Sequence, residues 1–439
     1  MHEQGVVVLG GGLAGIAASY YSGAPVYEAE ARVGGVAASD KADGFTFDRG
    51  IHVLQTQNQK VLSLFDEIGV EMKTHSRRAS IYYKGNYTEY PFQVNSAALP
   101  LALRARCVWG FLRRNTAPEP TNYEEWIVRS VGKGFADTFL IPYSDKFWTV
   151  HPREMTFDWT NNRVPQARTW QVLRGALLDR HTKIGTNAIF RYPAEDGGYG
   201  TIAETLASRV KKVHLGHRAA RIDTSEHRIR FENGTNVDYE ILISSIPLPD
   251  LITLCTDAPD TVREAARHLR TNSILVVNLG IDRADVSDRH WIHFPERHIS
   301  FFRISFPHSF SSDVAPNGTS SISAEVAYSD ERPIDRQTIV QRVTDDLIGV
   351  GILRKSDTIV TTATRNIKYA YCIYDRQRKP ALRVIHDWLG SRGIVPCGRY
   401  GLWTYFWSDE AILSGRKAAE SIQSRRERAS VATLRAAAR

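Results

Sequence analysis

With 439 residues, 42% of them hydrophobic, the chain has an ordinary globular composition and room for two to three domains with buried cores. The start "MHEQGVVVLGGG" lacks the charged-then-apolar layout of a signal peptide, and no apolar run approaches the roughly 20 residues of a membrane helix, so a cytoplasmic protein without a membrane span is expected. The net charge of +8 suits an anionic partner, but the arginines are dispersed among acids without an aromatic-interleaved stripe, so no nucleic acid is expected; the scattered Cys107, Cys255, Cys372 and Cys397 form no CxxC pair, which argues against disulfides and a metal site.

In chain order, "VVVL" predicts a short buried strand, the glycine cluster behind it opens a helix through "IAASYY", and "APVYEAE" supplies a second strand, making a β-α-β unit. From "NYEEWIVRSVGKGFADTFLIPYSDKFW" the apolar spacing turns helical, predicting a helical insertion over 99–171. "KVHLGHRAARIDTSEHRIRFENGTNVDYEILISSIP" reads as strands joined by an Asn-Gly turn. "SILVVNLGIDR" through "SISAEVAYSDE" is again strand-rich and predicts a mixed sheet on which a substrate lies. The expected class is α/β, with a nucleotide domain assembled from 1–98, 172–270 and 386–425, the helical insertion, a sheet-rich substrate domain over 271–385, and a frayed basic tail over 426–439.

Gly10, Gly12 and Gly15 match GxGxxG, in which the first glycine permits the turn, the second lets the backbone approach a pyrophosphate, and the third lets helix and strand pack. Glu28, at the end of the second strand, is placed to accept hydrogen bonds from a ribose. Arg32 follows, and then Gly34 and Gly35, which allow a second close backbone approach to a cofactor larger than NAD. Near the other end, Gly398 and Arg399 form a turn ahead of aromatic residues, and "SDE", with Asp409 and Glu410, caps an Ala-rich helix.

This arrangement resembles the FAD-binding parts of glutathione-reductase-like flavoproteins, a group that includes amine oxidases and protoporphyrinogen oxidase; the resemblance implies a Rossmann domain holding FAD, with Ala219 of the returning strands among its contacts. In such proteins the late helix points its N-terminus at the flavin, where its dipole stabilises negative charge on the reduced ring. "FDRGIHVL", "YPFQVN", "DWTNNRVP", "FRYPAEDGGYGTIAETLA", "FFRISF" and "GRYGLWTY" further resemble the UDP-galactopyranose mutase family, in family order and over nearly the whole chain.

That second resemblance implies a sugar-nucleotide substrate and interconversion of pyranose and furanose forms, with reduced flavin N5 attacking the anomeric carbon and no net redox change; NAD(P)H or another external reductant would first reduce the flavin. It places His52 over the flavin, Arg163 and Arg303 on the diphosphate, and Tyr371 and Tyr405 beside them. Phe92, Gln93, Tyr143, Trp148, Trp291 and His293 would line the nucleotide pocket. The chain departs from the family pattern at Ile51 (commonly glycine), Ser144 (asparagine), His293 (tyrosine) and Asp409 (asparagine), which puts UDP-galactose itself in doubt as the substrate. Two other readings stay open at this level: a flavin oxidase or dehydrogenase of the protoporphyrinogen oxidase or amine oxidase type, and a non-catalytic flavin-binding regulator. Oligomeric state is not legible.

Overall fold

The computed structural model describes residues 5–160, 163–178, 182–184, 188–194 and 197–437. Its nucleotide domain is built on a five-stranded parallel sheet in the order Ile394–Pro396, Ile241–Ser244, Val6–Leu9, Val26–Tyr27, Val213–His214. Val6–Leu9 is buried along its whole length, as a central parallel strand covered on both faces must be. The helix Leu13–Ser22 is short and Ala-rich, and it is buried nearly all round because the late helix Ser408–Ala437 crosses it on the far side. It stops at Gly23, whose φ of 74° lets its amide return to the Ser19 carbonyl.

A second, seven-stranded sheet runs Ile359–Cys372, Thr271–Ile281, Ser320–Tyr328, Arg303–Ser305, Trp291–His293, Ala79–Tyr83, Asn86–Glu89. It is antiparallel except where Trp291–His293 meets Ala79–Tyr83. Along Thr271–Ile281 the side chains divide by the period of two: Ile274 and Val276 face the helical insertion, while Leu275, Val277, Leu279 and Ile281 face the helix Ile339–Gly349. The insertion itself comprises Leu101–Leu112, Tyr123–Phe135 and Ile141–Trp148, with Phe92, Phe111, Phe135 and Trp148 in its core.

Three boundaries differ from expectation. Ala79–Tyr83 and Asn86–Glu89, expected within the first nucleotide segment, form a hairpin that joins the substrate sheet, because its edge pairs with residues some two hundred positions later. The helix Thr169–Leu177 crosses the predicted limit at 171, since it packs on the Phe92–Val94 turn with Gly175 pressed against the Val94 carbonyl. The last helix runs on to Ala437 instead of fraying at 426, in keeping with the high helix propensity of its Ala- and Arg-rich sequence.

Candidate active site

The carboxyl ends of Val6–Leu9 and Ile241–Ser244 open into a cavity of about 750 Å³ that continues between the helical insertion and the seven-stranded sheet. This is where an open parallel sheet binds its ligand. At its nucleotide end the backbone is kept bare on purpose of space. A Cβ on Gly12 would meet no protein atom nearer than 4.0 Å, so the room beside it is left for a ligand; on Gly15 it would stand 1.9 Å from the Gly10 carbonyl, so Gly15 serves helix-strand packing and does not line the cavity. Gly34 and Gly35 adopt positive φ beside Gly12 and also line it. Glu28 accepts the amides of Gly11 (2.5 Å) and Glu30 (2.8 Å), and burial raises its pKa. Gly398 and Ala219 complete this end. The bare glycines, the buried acid and the helix N-terminus together fit a dinucleotide.

Arg32 does not belong here. Its guanidinium turns outward to the Ser39 carbonyl (2.7 Å) and Asp40. Arg49, by contrast, does face the cavity, buried and held by Glu30 (2.9 Å), Asp40 and the Gly35 carbonyl. It stands inside "FDRGIHVL", but its partners lie on other loops, so the motif alone did not expose it.

Farther in, His52 lies on the loop after Phe45–Asp48, with its ring 5.5 Å from that of Tyr199. Its Nδ1–H donates to the Gly50 carbonyl (3.2 Å), which leaves Nε2 as an acceptor. Burial, reinforced by Arg399 and Arg303, pushes its pKa down to about 4, so the ring is neutral at neutral pH. Beneath the loop, buried Asp48 accepts bonds from Ser39, Tyr192 and the Tyr199 amide. Arg399 lines the cavity too, but as a staple: it donates to the Phe406 and Ala370 carbonyls.

The two arginines expected to grip phosphate both face this cavity. Arg303, on the strand Arg303–Ser305, is paired through Nε and Nη2 with buried Glu325, which also accepts the Ile51 amide (3.2 Å). Arg163 bonds through Nη2 to both oxygens of Glu410 (2.9 and 2.7 Å) and to the Tyr405 carbonyl, and stacks over Tyr405 and Trp407 at 4.7 and 4.6 Å. Its Nη1 is buried and, among the described residues, has no partner. Asn161 and Asn162 of "NNRVP" lie outside the described residues. Tyr371 and Tyr405, 5.4 Å apart, connect the arginines along one wall.

Tyr143 and Trp148 come from Ile141–Trp148 and line the cavity beside Ser144. The Tyr143 hydroxyl is 2.9 Å from His293 Nδ1, and burial, with Arg303 and Arg77 nearby, holds the His293 pKa well below its ordinary value. Trp291 touches the cavity but is 5% exposed and packs mainly with Phe190 and Phe310. Four further expectations are corrected. Phe92 is a core residue against Phe135 and Phe139, and Gln93 donates to the Pro165 carbonyl, so neither lines the cavity. Glu410 holds Arg163 and the Trp407 amide, and neither it nor Asp409 lines the cavity. Glu325, absent from the sequence reading, sits in "SISAEVAYSDE" with nothing local to mark it.

A family model described as flavin containing amine oxidoreductase matches residues 25–423. The fold is similar to the crystal structure of reduced UDP-galactopyranose mutase, with a TM-score of 0.92 at 26% identity over 97% of this chain and 94% of that one. It is also similar to a putative protoporphyrinogen oxidase from Exiguobacterium sp. 255-15, with a TM-score of 0.75 at 17% identity over 97% and 100% of the two chains. Among curated proteins, coproporphyrinogen III oxidase of Bacillus subtilis (strain 168) is 21% identical over 328 residues, covering 66% of this chain and 69% of that protein.

Proposed function

Because the chain belongs to the family of flavin containing amine oxidoreductases, we propose that its cavity holds FAD and a nucleoside-diphosphate sugar together, and that it interconverts the pyranose and furanose forms of that sugar. The observation that carries this reading is the buried Nη1 of Arg163, without a partner among the described residues, in the same cavity as Arg303. A guanidinium N–H shut away from water wants a charged acceptor, and a diphosphate supplies several.

Gly10, Gly12, Gly34, Gly35 and Glu28 would hold the dinucleotide, and His52 would lie beside its flavin. Bound in reduced form, FAD would supply a nucleophilic nitrogen toward the anomeric carbon, with no net redox change. The chain's own residues do the rest. Arg163 keeps Nη2 on Glu410 and turns Nη1 to a phosphate oxygen, so the leaving diphosphate is hydrogen-bonded and kept for return. Arg303 contributes from farther along the same wall, with Glu325 fixing its plane. Neutral His52 offers Nε2 as an acceptor without adding positive charge. The aromatic wall from Tyr143 to Trp148 excludes water that would intercept the sugar.

Arg163→Ala should weaken nucleoside-diphosphate binding by about 2–4 kcal/mol while FAD content stays unchanged. For Arg303 the single change would strand Glu325, so the double variant Arg303→Ala/Glu325→Gln is the fair comparison, with a loss of the same order. Calorimetric titration with UDP, GDP and TDP checks both; unaltered affinities for all three in both variants contradict the reading.

A second reading is an FAD oxidase or dehydrogenase of the protoporphyrinogen oxidase or amine oxidase type. It is favoured by Glu325 and Glu410, which already neutralise the two guanidiniums and leave a largely aromatic wall. Such an enzyme reduces one acceptor per turnover.

A further inference from the structure

The helices Leu101–Leu112 and Thr169–Leu177 pack against one another, and each is apolar on its outer side. Helical spacing puts Leu101, Ala105, Trp109 and Leu112 on one face, and that face looks to solvent: Leu101 is 70% and Trp109 60% exposed. The opposite face is the one the fold uses, with Cys107 and Phe111 buried and Gly110 pressed on the backbone of Gly134. On the second helix Trp170, Leu173 and Leu177 repeat the pattern, with Leu177 80% exposed, while Val172, Gly175 and Ala176 face inward. Packing of the core therefore does not account for these outer residues.

The charges carried by the two helices themselves are all positive. Segments 101–114 and 168–178 contain Arg104, Arg106, Arg113, Arg114, Arg168 and Arg174 and no aspartate or glutamate. Arg113 lies over the Trp109 ring at 4.7 Å, and Arg106 has a neighbouring helix's Asp137 at 3.4 Å. Two helices whose outer face carries tryptophan and whose own charges are all arginine, with Asp137 of a neighbouring helix as an acid at the rim, have the composition of a surface that rests in the headgroup zone of a bilayer. Pairing of this face with a second copy of itself would set arginine against arginine.

We propose that this two-helix face is a peripheral docking surface for anionic lipid bilayers. The inference does not depend on the reaction carried out in the cavity. The test is sedimentation of the full-length, FAD-loaded protein with vesicles of phosphatidylcholine alone and with vesicles of mixed phosphatidylcholine and phosphatidylglycerol. The protein should pellet with the mixed vesicles, and high salt should release it. Trp109→Ser/Leu112→Ser/Trp170→Ser should weaken binding at least about tenfold. Arg106→Gln/Arg113→Gln should weaken it and reduce its salt dependence. Both variants should keep their FAD and thermal midpoint, because the altered side chains project into solvent. The proposal is overturned if the unaltered protein ignores mixed vesicles, if the apolar variant pellets equally well, or if ultracentrifugation shows a dimer that the same three serines abolish.

Discussion

Gly12 and Gly15 stand in one motif and are glycine for different reasons. A side chain on Gly15 would strike the Gly10 carbonyl, whereas one on Gly12 would enter only the cavity. Gly12→Val should therefore fold with nearly unchanged thermal stability in the absence of flavin and yet purify colourless; full flavin occupancy, read from the visible spectrum, would contradict the assignment. His52 makes a prediction about pH. Its pKa falls from 6.5 to about 4 on folding, so the unfolded chain binds the extra proton between those values and the native state loses stability as pH drops through them. The advantage of the unaltered protein over His52→Asn should be largest near pH 7 and shrink below 6.5, by at most about 3 kcal/mol. Thermal midpoints of both proteins from pH 4 to 7 check this; a constant gap would mean the ring is not shielded. Most cavity-facing positions were legible because their motifs are local, as with Gly12, Glu28 and His52. Glu325 and the true partner of Glu410 were not, because each acquires its role from a residue far along the chain, and Arg49 was not because its partners Glu30, Gly35 and Asp40 lie outside its own motif.

Local period also explains which elements could be read and which could not. The β-α-β start is written in a β-branched run, a glycine turn and an alanine-rich helix, all contiguous. The hairpin Ala79–Tyr83 and Asn86–Glu89 is equally regular, but its sheet is decided by Trp291–His293, and no local signal names that partner. The late helix Ser408–Ala437 was foreseen as a feature of the flavin site, whereas its contact with the first helix was not. Gly415 makes that contact possible, since a Cβ there would stand 2.0 Å from the Ala14 carbonyl. Gly415→Ala should push the two helices apart, cost about 1–3 kcal/mol of stability, and lower flavin occupancy through the displaced Gly12 turn. A thermal melt and flavin titration decide it: a variant with unaltered melting and occupancy would show that the crossing tolerates a methyl group.

At the scale of the whole molecule, the parallel sheet supplies a dinucleotide cradle, while the insertion and the large sheet close over it and bring Arg163 and Arg303 to one cavity. A cavity of about 750 Å³ that holds Arg163, Arg303 and a tyrosine pair is suited to a charged, extended ligand. The departures at Ile51, Ser144 and His293 all face that space, so on the proposed reading the sugar or the base is where this chain should differ from UDP-galactopyranose mutase. The most direct measurement is to reduce the FAD-loaded protein with dithionite under nitrogen, add UDP-, GDP- and TDP-sugars in turn, and follow isomer formation against electron consumption. The account predicts that at least one sugar nucleotide is converted over many turnovers with no further reductant or acceptor used, and that the oxidised protein is inactive. Product that forms only in step with reduction of oxygen or another acceptor would contradict it and establish the oxidase reading instead.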